Sequence, residues 1–551
     1  PTATAPTNPT GGLERIEDPL PPIWDLPAYS GRALANQVNL GPSGQNIIGD
    51  AANEPSIAVD PLAPNRIVIT YRQFDSISSN FRQGGYSVSR DGGRTWTART
   101  IDPGVFRSDP VVRADEDGTL FWNSLAPDGE AFICHVFRST DGGATWSPPV
   151  YAAGGDKLWL TVDRTNTIGR GNIYQYWSQN ASAIGPYNFN RSTNGGLSFG
   201  SAVALPVPIR WGQLAVGPEG ELYVFGSNGR FDLLKSTNAK DPAQTPTFIS
   251  MSANGGVRLI SSPVFSDSAG PNPGGLLGQA NICVDTSNGP RRGWVYFLSS
   301  VRNAGDSLDV VFASSPDGGV NRTNPIRINT DPLAYNSWQW FGTMSIAPNG
   351  RLDVIWNDTS QSQNPRLSRL YYTSSSDGGL SWTTPTPQTG TWDSWIGWPN
   401  QNKIGDYYDM ESDNLGVNIA FSATLTGGQD VYFLRIGPRD CNRDDIGDEA
   451  QIAAGTVRDC NENQIPDTCE IAAGTLADLN GNGIADICDC GNADFDGDGD
   501  TGTDADIEAF FACLGGNCCA ACGTADFDGD GDSGTDLDIE AFFRVLGGGE
   551  C

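Results

Sequence analysis

Ser89-Arg90-Asp91-Gly92-Gly93-Arg94-Thr95-Trp96 returns as Ser139-Thr140-Asp141-Gly142-Gly143-Ala144-Thr145-Trp146, and the reading of this phrase decides the fold. Weaker copies stand around Asn194 (Ser192 to Phe199), at Asp317-Gly318-Gly319 and around Asp377 (Ser375 to Trp382), with a decayed one near Asn238. An interval of roughly 50–60 residues marks a repeat architecture. The phrase has the chemistry of a hairpin. Asp-Gly-Gly supplies the positive φ of a tight turn. The Ser and Asp side chains are suited to bind turn amides, and Trp96, Trp146, Phe199 and Trp382 are expected to pack back on the sheet.

Working outward, short β-rich runs precede each copy. Glu54–Val59, Arg66–Tyr71 and Gly85–Ser89 precede the first, and Asp109–Val112, Thr119–Trp122 and Phe132–Phe137 the second. Four further sets follow in the same rhythm. A seventh set, Asp406–Asp409, Val417–Phe421 and Val431–Leu434, has no turn phrase after it. Its fourth strand is expected near Gln37–Leu40, closing a ring with the N-terminal end of the chain. Closure hides the sheet edges. The expectation is therefore an all-β chain whose residues 37–437 form a seven-bladed β-propeller, with six blades as the alternative. Residues 1–36 are rich in Pro and Thr and read as an extended arm.

The turn phrase resembles the Asp-box, or BNR repeat, of sialidase-like β-propellers. That resemblance implies a structural role at the propeller's periphery for Asp91, Trp96, Asp141, Trp146, Asn194, Phe199, Asp317, Asp377 and Trp382. Glu54-Pro-Ser-Ile-Ala-Val-Asp60, Asp156-Lys157-Leu-Trp159 and Gly405-Asp406-Tyr407 extend the likeness. Sialidases of this family grip a carboxylate with three arginines and carry an N-terminal Arg-Ile-Pro phrase, which this sequence lacks. If the chain is an enzyme, Glu54, Asp406 and Tyr407 are the positions to examine. Glu54, Asp109, Asp156 and Asp406 all fall at the start of a first strand, at one mouth of the channel. Four carboxylates there call for a cation or a substrate, or each caps its own turn.

Composition changes near Gly437. Residues 438–551 hold 27 acids against 4 arginines and no lysine, and ten of the chain's 12 cysteines. The acids are spaced, not massed. Asp440-x-Asn442-x-Asp444-x-x-x-Asp448 recurs 19 residues later as Asp459, Asn461, Asn463 and Asp467, and again as Asp478, Asn480, Asn482 and Asp486. A second type, Asp494-x-Asp496-x-Asp498 leading to Asp506, recurs 32 residues later as Asp526, Asp528, Asp530 and Asp538. Each of these two runs into a short helix, Ile507–Leu514 or Ile539–Leu546. Ca²⁺ takes six to eight oxygens from a flexible loop, and this spacing supplies them. The first type resembles thrombospondin type-3 calcium repeats (438–490). The second resembles a dockerin or half EF-hand pair (491–551), with the acid at Asp506 and Asp538 one residue late. Together they are similar to the tails of planctomycete-type secreted proteins. Calcium is the implied cofactor.

The cysteines read as a disulfide framework of an extracellular protein. Pairing between the 19-residue repeats leaves none over, as 441–469 with 460–488 or as 441–460 with 469–488. Zinc is the rival at Cys518-Cys519-Ala-Ala-Cys522. Cys134 and Cys283 read as buried thiols and His135 as a packed strand residue. The net charge of −31 opposes nucleic-acid binding. No apolar run reaches membrane-spanning length. The chain starts at Pro1 and reads as a mature, secreted or cell-surface form. Three functions compete. The leading expectation is a non-catalytic structural or adhesive protein, self-assembling or bound to another extracellular protein or glycan, in a filament or surface layer. The alternatives are a secreted glycan-active enzyme, of sialidase or lyase type, and a glycan-binding module carried by a dockerin-like tail.

Overall fold

The computed structural model describes residues 35–251, 259, 266–478, 483–485, 493–520, 522–529 and 531–547. Seven antiparallel sheets follow one another along the chain as the blades of a β-propeller. Each runs from an inner strand outward, beginning with Ala51–Val59, Ser108–Ala114, Trp159–Val162, Trp211–Val216, Asn281–Val284, Gln339–Ile346 and Asp409–Ser412. The first of these is buried along its whole length. It is surrounded on both sides by neighbouring blades, so small and apolar residues replace alternation along it, interrupted by the buried Asn53 and Glu54.

The ring closes on blade 7, whose order runs from Asn36–Gln37 through Asp430–Ile436 and Val417–Ala423 to Asp409–Ser412. The closing strand is shorter and earlier than Gln37–Leu40. Asn39 explains its end: the side-chain Oδ1 takes the Val431 N–H at 2.9 Å and Nδ2 donates to Asp430 Oδ1 at 2.8 Å. A side chain thus finishes a ladder that the backbone began. Blade 3 has three strands, Trp159–Val162, Ile173–Tyr176 and Phe189–Ser192, with a single bridge from Phe189 to Val203 where a fourth would lie.

The turn phrases start where the third strands of their blades end, and they clamp adjacent blades. In the second, Ser139 Oγ donates to Asp141 Oδ1 at 2.8 Å and accepts from Gly143 N at 2.9 Å, while Asp141 Oδ1 takes Thr145 N at 2.9 Å. The decayed copy keeps the arrangement, with Ser236 Oγ bonded to Asn238 Oδ1 and to the Ala239 N–H, both at 3.0 Å. Each Trp then packs on the third strand of the preceding blade: Trp96 on Phe433 (5.3 Å), Trp146 on Tyr86 (5.9 Å) and Trp382 on Phe312 (5.1 Å). A Cβ on Gly93 or Gly379 would fall on the same Phe433 or Phe312 ring, which fixes glycine there.

The tail adds four short helices, α1 (Asp448–Ala453), α2 (Asp467–Ala473), α3 (Asp504–Leu514) and α4 (Asp536–Leu546). α3 and α4 begin three residues before the expected Ile507 and Ile539. Thr503 with Asp506, and Thr535 with Asp538, form complete capping boxes that start each helix early. Phe495, Phe510, Phe527 and Phe542 make the core between them. Cys441 is bonded to Cys469, which selects the first of the two pairings; Cys460 is disulfide-bonded and Cys488 lies outside the described residues. Cys513–Cys518 and Cys519–Cys522 are disulfides, so the cysteine-dense stretch is not a zinc site. Cys134 and Cys283 are free thiols. Among the described residues no helix is long and apolar enough to cross a membrane.

Candidate functional site

Three inner strands carry the same irregularity. Their register shifts between Asn53 and Ser56, between Ser108 and Val111, and between Trp340 and Thr343. Inside each bulge one residue takes a left-handed conformation: Glu54 (φ 52), Asp109 (φ 49) and Phe341 (φ 56). Such a backbone costs energy in any residue with a Cβ, and before proline it is further disfavoured. Pro55 and Pro110 make the bulge cheaper in one respect, because they have no N–H to lose from the ladder. The two acids in these bulges are buried in one cluster, Glu54 beside Arg72 and Lys403 and Asp109 beside Lys157. Strained backbone of this kind collects at functional sites.

Lysines from two other blades meet those acids. Lys157 Nζ lies 2.6 Å from Asp406 Oδ2, 3.8 Å from Asp156 and 4.0 Å from Asp109. Lys403 Nζ lies 2.7 Å from the same Asp406 oxygen and 3.4 Å from Glu54 Oε1. Arg72, from the end of a second strand, places Nε 3.2 Å from Glu54 Oε2. All four carboxylates expected at the mouth therefore surround one locus, and the cations placed among them are the chain's own, the ammonium groups of Lys157 and Lys403 and the guanidinium of Arg72. Glu54 is fully buried and Asp406 nearly so, whereas the side chains of Lys157 and Lys403 are 15% and 13% exposed and cover them.

The environment splits the acids. Burial pushes the Glu54 carboxyl up to about 7, against the pull of Arg72 and Lys403. Asp406 is buried too, but Lys157 and Lys403 overcome that and hold it well below the usual range. Asp109 is held at about 2 by Lys157 and Arg72 despite its burial. Burial raises Asp156 as well, so two carboxyls are pushed toward the neutral form beside two that are held ionised, and the buried one of the raised pair, Glu54, shows with Asp406 the pattern of an acid and its ionised counterpart. Tyr407 has another task. Its hydroxyl donates to Pro110 O at 2.9 Å and its ring packs edge-on against Trp159 at 5.4 Å. Burial, with Glu54 and Asp109 nearby, drives its pKa far up, so the phenol stays neutral. His135 sits in the strand Ala131–Ser139, the third of the blade that carries Asp109, with Nδ1 2.9 Å from Arg107 Nη1.

In the tail, Asp494, Asp496 and Asp506 bring carboxylate oxygens within 4.8 Å of one another, and Asp526, Asp528 and Asp538 do the same. Both groups fit a metal ion. Asp506 is also committed locally: Oδ1 takes Phe495 N at 2.7 Å and Oδ2 takes Thr503 N at 2.8 Å. In the 19-residue repeats Asp440, Asn442 and Asp444 bond the turn amides, and Asp448 Oδ1 accepts from Cys441 N at 2.9 Å. Asp459, Asn461, Asn463 and Asp467 repeat this. Asp478 bonds Gly483 N at 2.9 Å. Asn480, Asn482, Asp486 and Asp530 lie outside the described residues.

No family model matches the chain. A xyloglucanase of Paenibacillus sp is 23% identical over 339 residues, 55% of this chain. The chain spans only 30% of that relative's length. Among solved structures, a protein of unknown function from Dyadobacter fermentans is 15% identical, with a TM-score of 0.41 over 74% of this chain and 99% of that one. A Hadza microbial sialidase is 14% identical (TM-score 0.38, 70% of this chain and 66% of that one). An α-L-arabinofuranosidase from Fusarium graminearum is 11% identical (TM-score 0.39, 74% and 98%).

Several residues of the site are not evident from sequence patterns. Lys157 had a signal, being next to Asp156, but Lys403 and Arg72 come from other parts of the chain. In the tail, Glu470 bonds Asn461 at 3.1 Å and Asn463 at 2.8 Å, and Gln451 bonds Asp444 at 2.6 Å. Both stand at position 12 of their loops, where a calcium loop places its closing ligand. The spacing from Asp440 and Asp459 contains that signal.

Proposed function

We propose that the propeller is a secreted glycan-active enzyme whose chemistry is centred on Glu54. The observation that carries this reading is the fully buried Glu54 beside Asp406, with Lys403 Nζ 3.4 Å from one and 2.7 Å from the other; burial pushes Glu54 toward its neutral form while the two lysines hold Asp406 ionised. Glycoside hydrolysis needs such a pair. Glu54 would give its proton to the glycosidic oxygen as the C–O bond breaks and its electron pair moves to that oxygen. Asp406 would take a proton from the attacking water, and Lys157 and Lys403 would swing aside to admit the sugar. Tyr407 supports the wall and does not attack. The partial likeness to a xyloglucanase supports a glycan as substrate class. The test is release of reducing ends from a panel of neutral and acidic polysaccharides by the full chain. New ends on any of them support the reading, and none on all of them overturns it.

The tail loops are proposed to hold Ca²⁺, through oxygens of Asp440, Asn442, Asp444, Asp448 and Gln451, of Asp459, Asn461, Asn463, Asp467 and Glu470, and of the groups at Asp478, Asp494 and Asp526. Bound calcium would neutralise carboxylates that otherwise repel. Disulfides and calcium together suit an extracellular setting. Chelation is expected to raise hydrogen exchange across 440–547 by more than tenfold while leaving the propeller strands protected. Equal exchange with calcium and with chelator would contradict it.

A second reading, assembly or adhesion through the tail, is favoured by one feature. Phe511, Leu537 and Phe543 are exposed on α3 and α4, at 46%, 58% and 45%. Phe511 and Phe543 lie 6.2 Å apart, a shared apolar face suited to a partner protein. Light scattering in calcium should then show particles that Phe511→Ser with Phe543→Ser dissolves; a monomer in both cases would exclude it.

A further inference from the structure

Five calcium-type loops can be compared within one chain. At positions 4 and 6 the later loops use glycine at positive φ: Gly497 (φ 76) and Gly499 (φ 95), Gly529 (φ 72) and Gly531 (φ 90), and Gly483 (φ 82) at position 6 of the third. The first two loops hold the same conformation without glycine. Arg443 (φ 59) and Asp445 (φ 66) fill these positions in one, Glu462 (φ 54) and Gln464 (φ 66) in the other. A left-handed residue with a Cβ is strained, and strain persists only where surroundings impose it.

The propeller reaches position 6 of both loops. Asn414, in the inner hairpin of blade 7, donates from Nδ2 to Asp445 Oδ1 at 2.7 Å. Arg94 Nη2 donates to Gln464 O at 2.7 Å. Arg66 and Arg90 hold the end of α2, with Arg90 Nη1 2.8 Å and Arg66 Nε 3.2 Å from Ala473 O. Cations on the last carbonyls of a helix are favourable. Arg90 and Arg94 are the variable residues of the blade 1 turn phrase. Blade 2 has Thr140 and Ala144 there, and blade 3 has Thr193 and Leu197.

The docked residues are also tied to the proposed ligands. Asp440 Oδ2 takes Asp445 N at 3.0 Å, and Asp459 Oδ2 takes Gln464 N at 2.9 Å. Position 6 therefore touches the propeller on one side and the position 1 carboxylate on the other. A separate feature points to a cation: Asp448 is fully buried, and its Oδ2 has no hydrogen-bond partner among the described residues.

We infer that cation binding by the first two loops and their docking on blades 7 and 1 form one coupled equilibrium, with Arg90 and Arg94 as the receptor. The inference rests on the calcium reading proposed for these loops. Coupling is reciprocal, so a receptor that strengthens calcium binding is itself protected by calcium to the same degree.

The test is hydrogen exchange of the full chain during a calcium titration, for the wild type and for Arg90→Thr with Arg94→Ala. That variant copies the blade 2 phrase, whose turn folds without arginine. The calcium midpoint for protection of 440–476 should rise about tenfold in the variant, within the usual range of coupling. The midpoint for 493–547 should not move. Identical midpoints for 440–476 would overturn the coupling while leaving calcium binding intact. A wild type that shows no calcium-dependent protection anywhere in the tail would remove the calcium reading, and the coupling with it.

Discussion

Asp406→Ala is expected to lower the stability of the propeller by about 3–5 kcal/mol, the cost of stranding a buried charge. Here one carboxylate holds two ammonium groups, at 2.6 and 2.7 Å, and its other oxygen takes Leu276 N at 2.9 Å. Removing it leaves Lys157 with only the longer contacts to Asp156 and Asp109, at 3.8 and 4.0 Å, and Lys403 with only Glu54, at 3.4 Å. Lys157→Met with Lys403→Met on the same background should recover part of the loss, since the under-compensated charges go. The pH dependence has a definite sign. Asp406 is held below its ordinary value of 3.8, so its contribution is present above that pH and is lost as pH falls further. Urea unfolding of wild type and variants at neutral pH checks the claim. A loss below about 1 kcal/mol, the scale of an exposed pair, would mean that the cluster is solvated.

Glu54→Gln is expected to slow glycan turnover by about 10²–10⁴-fold, the usual contribution of a general acid. Glutamine keeps the shape and donates no proton to a leaving group. In the wild type, turnover should fall as pH rises through about 7, where Glu54 loses its proton. Lys403 pulls that value down, so Lys403→Ala should move the falling limb to higher pH. Stability carries the same signature. A carboxyl raised from 4.5 to about 7 favours the native state at low pH, and that advantage is lost as pH rises across this window. At 1.36 kcal/mol per pH unit the wild type should lose about 3 kcal/mol there, and Glu54→Gln should flatten the slope. A variant with unchanged turnover and an unchanged slope would contradict both.

Much of the fold is legible in the turn phrase alone. Ser139, Asp141 and Gly143 form a local circuit, so their spacing carries the geometry with no need of distant contacts. Blade count follows from repetition, and closure from a set left without its fourth strand. The closing strand was less legible, because Asn39 ends it through a side-chain bond to a segment almost 400 residues away. The acids at the mouth were visible as acids at strand starts. Their partners were not: Arg72 reaches Glu54 across the first hairpin of the same blade, through a bulge the sequence does not announce, and Lys403 precedes the seventh blade, so that only ring closure brings it to Glu54. The bulges hide for another reason. Glu-Pro and Asp-Pro suggest extended chain, and the left-handed turn before each proline is imposed by tertiary packing. In the tail, position 12 at Gln451 and Glu470 was available from spacing, but it falls inside helices that the repeat pattern does not announce.

The most direct measurement is a side-by-side assay of wild type and Glu54→Gln on one polysaccharide, counting new reducing ends across pH 5–9. The account predicts turnover by the wild type that declines through about pH 7 and a variant slower by at least a hundredfold. Equal rates for the two proteins, or no reducing ends from the wild type at any pH, would contradict it.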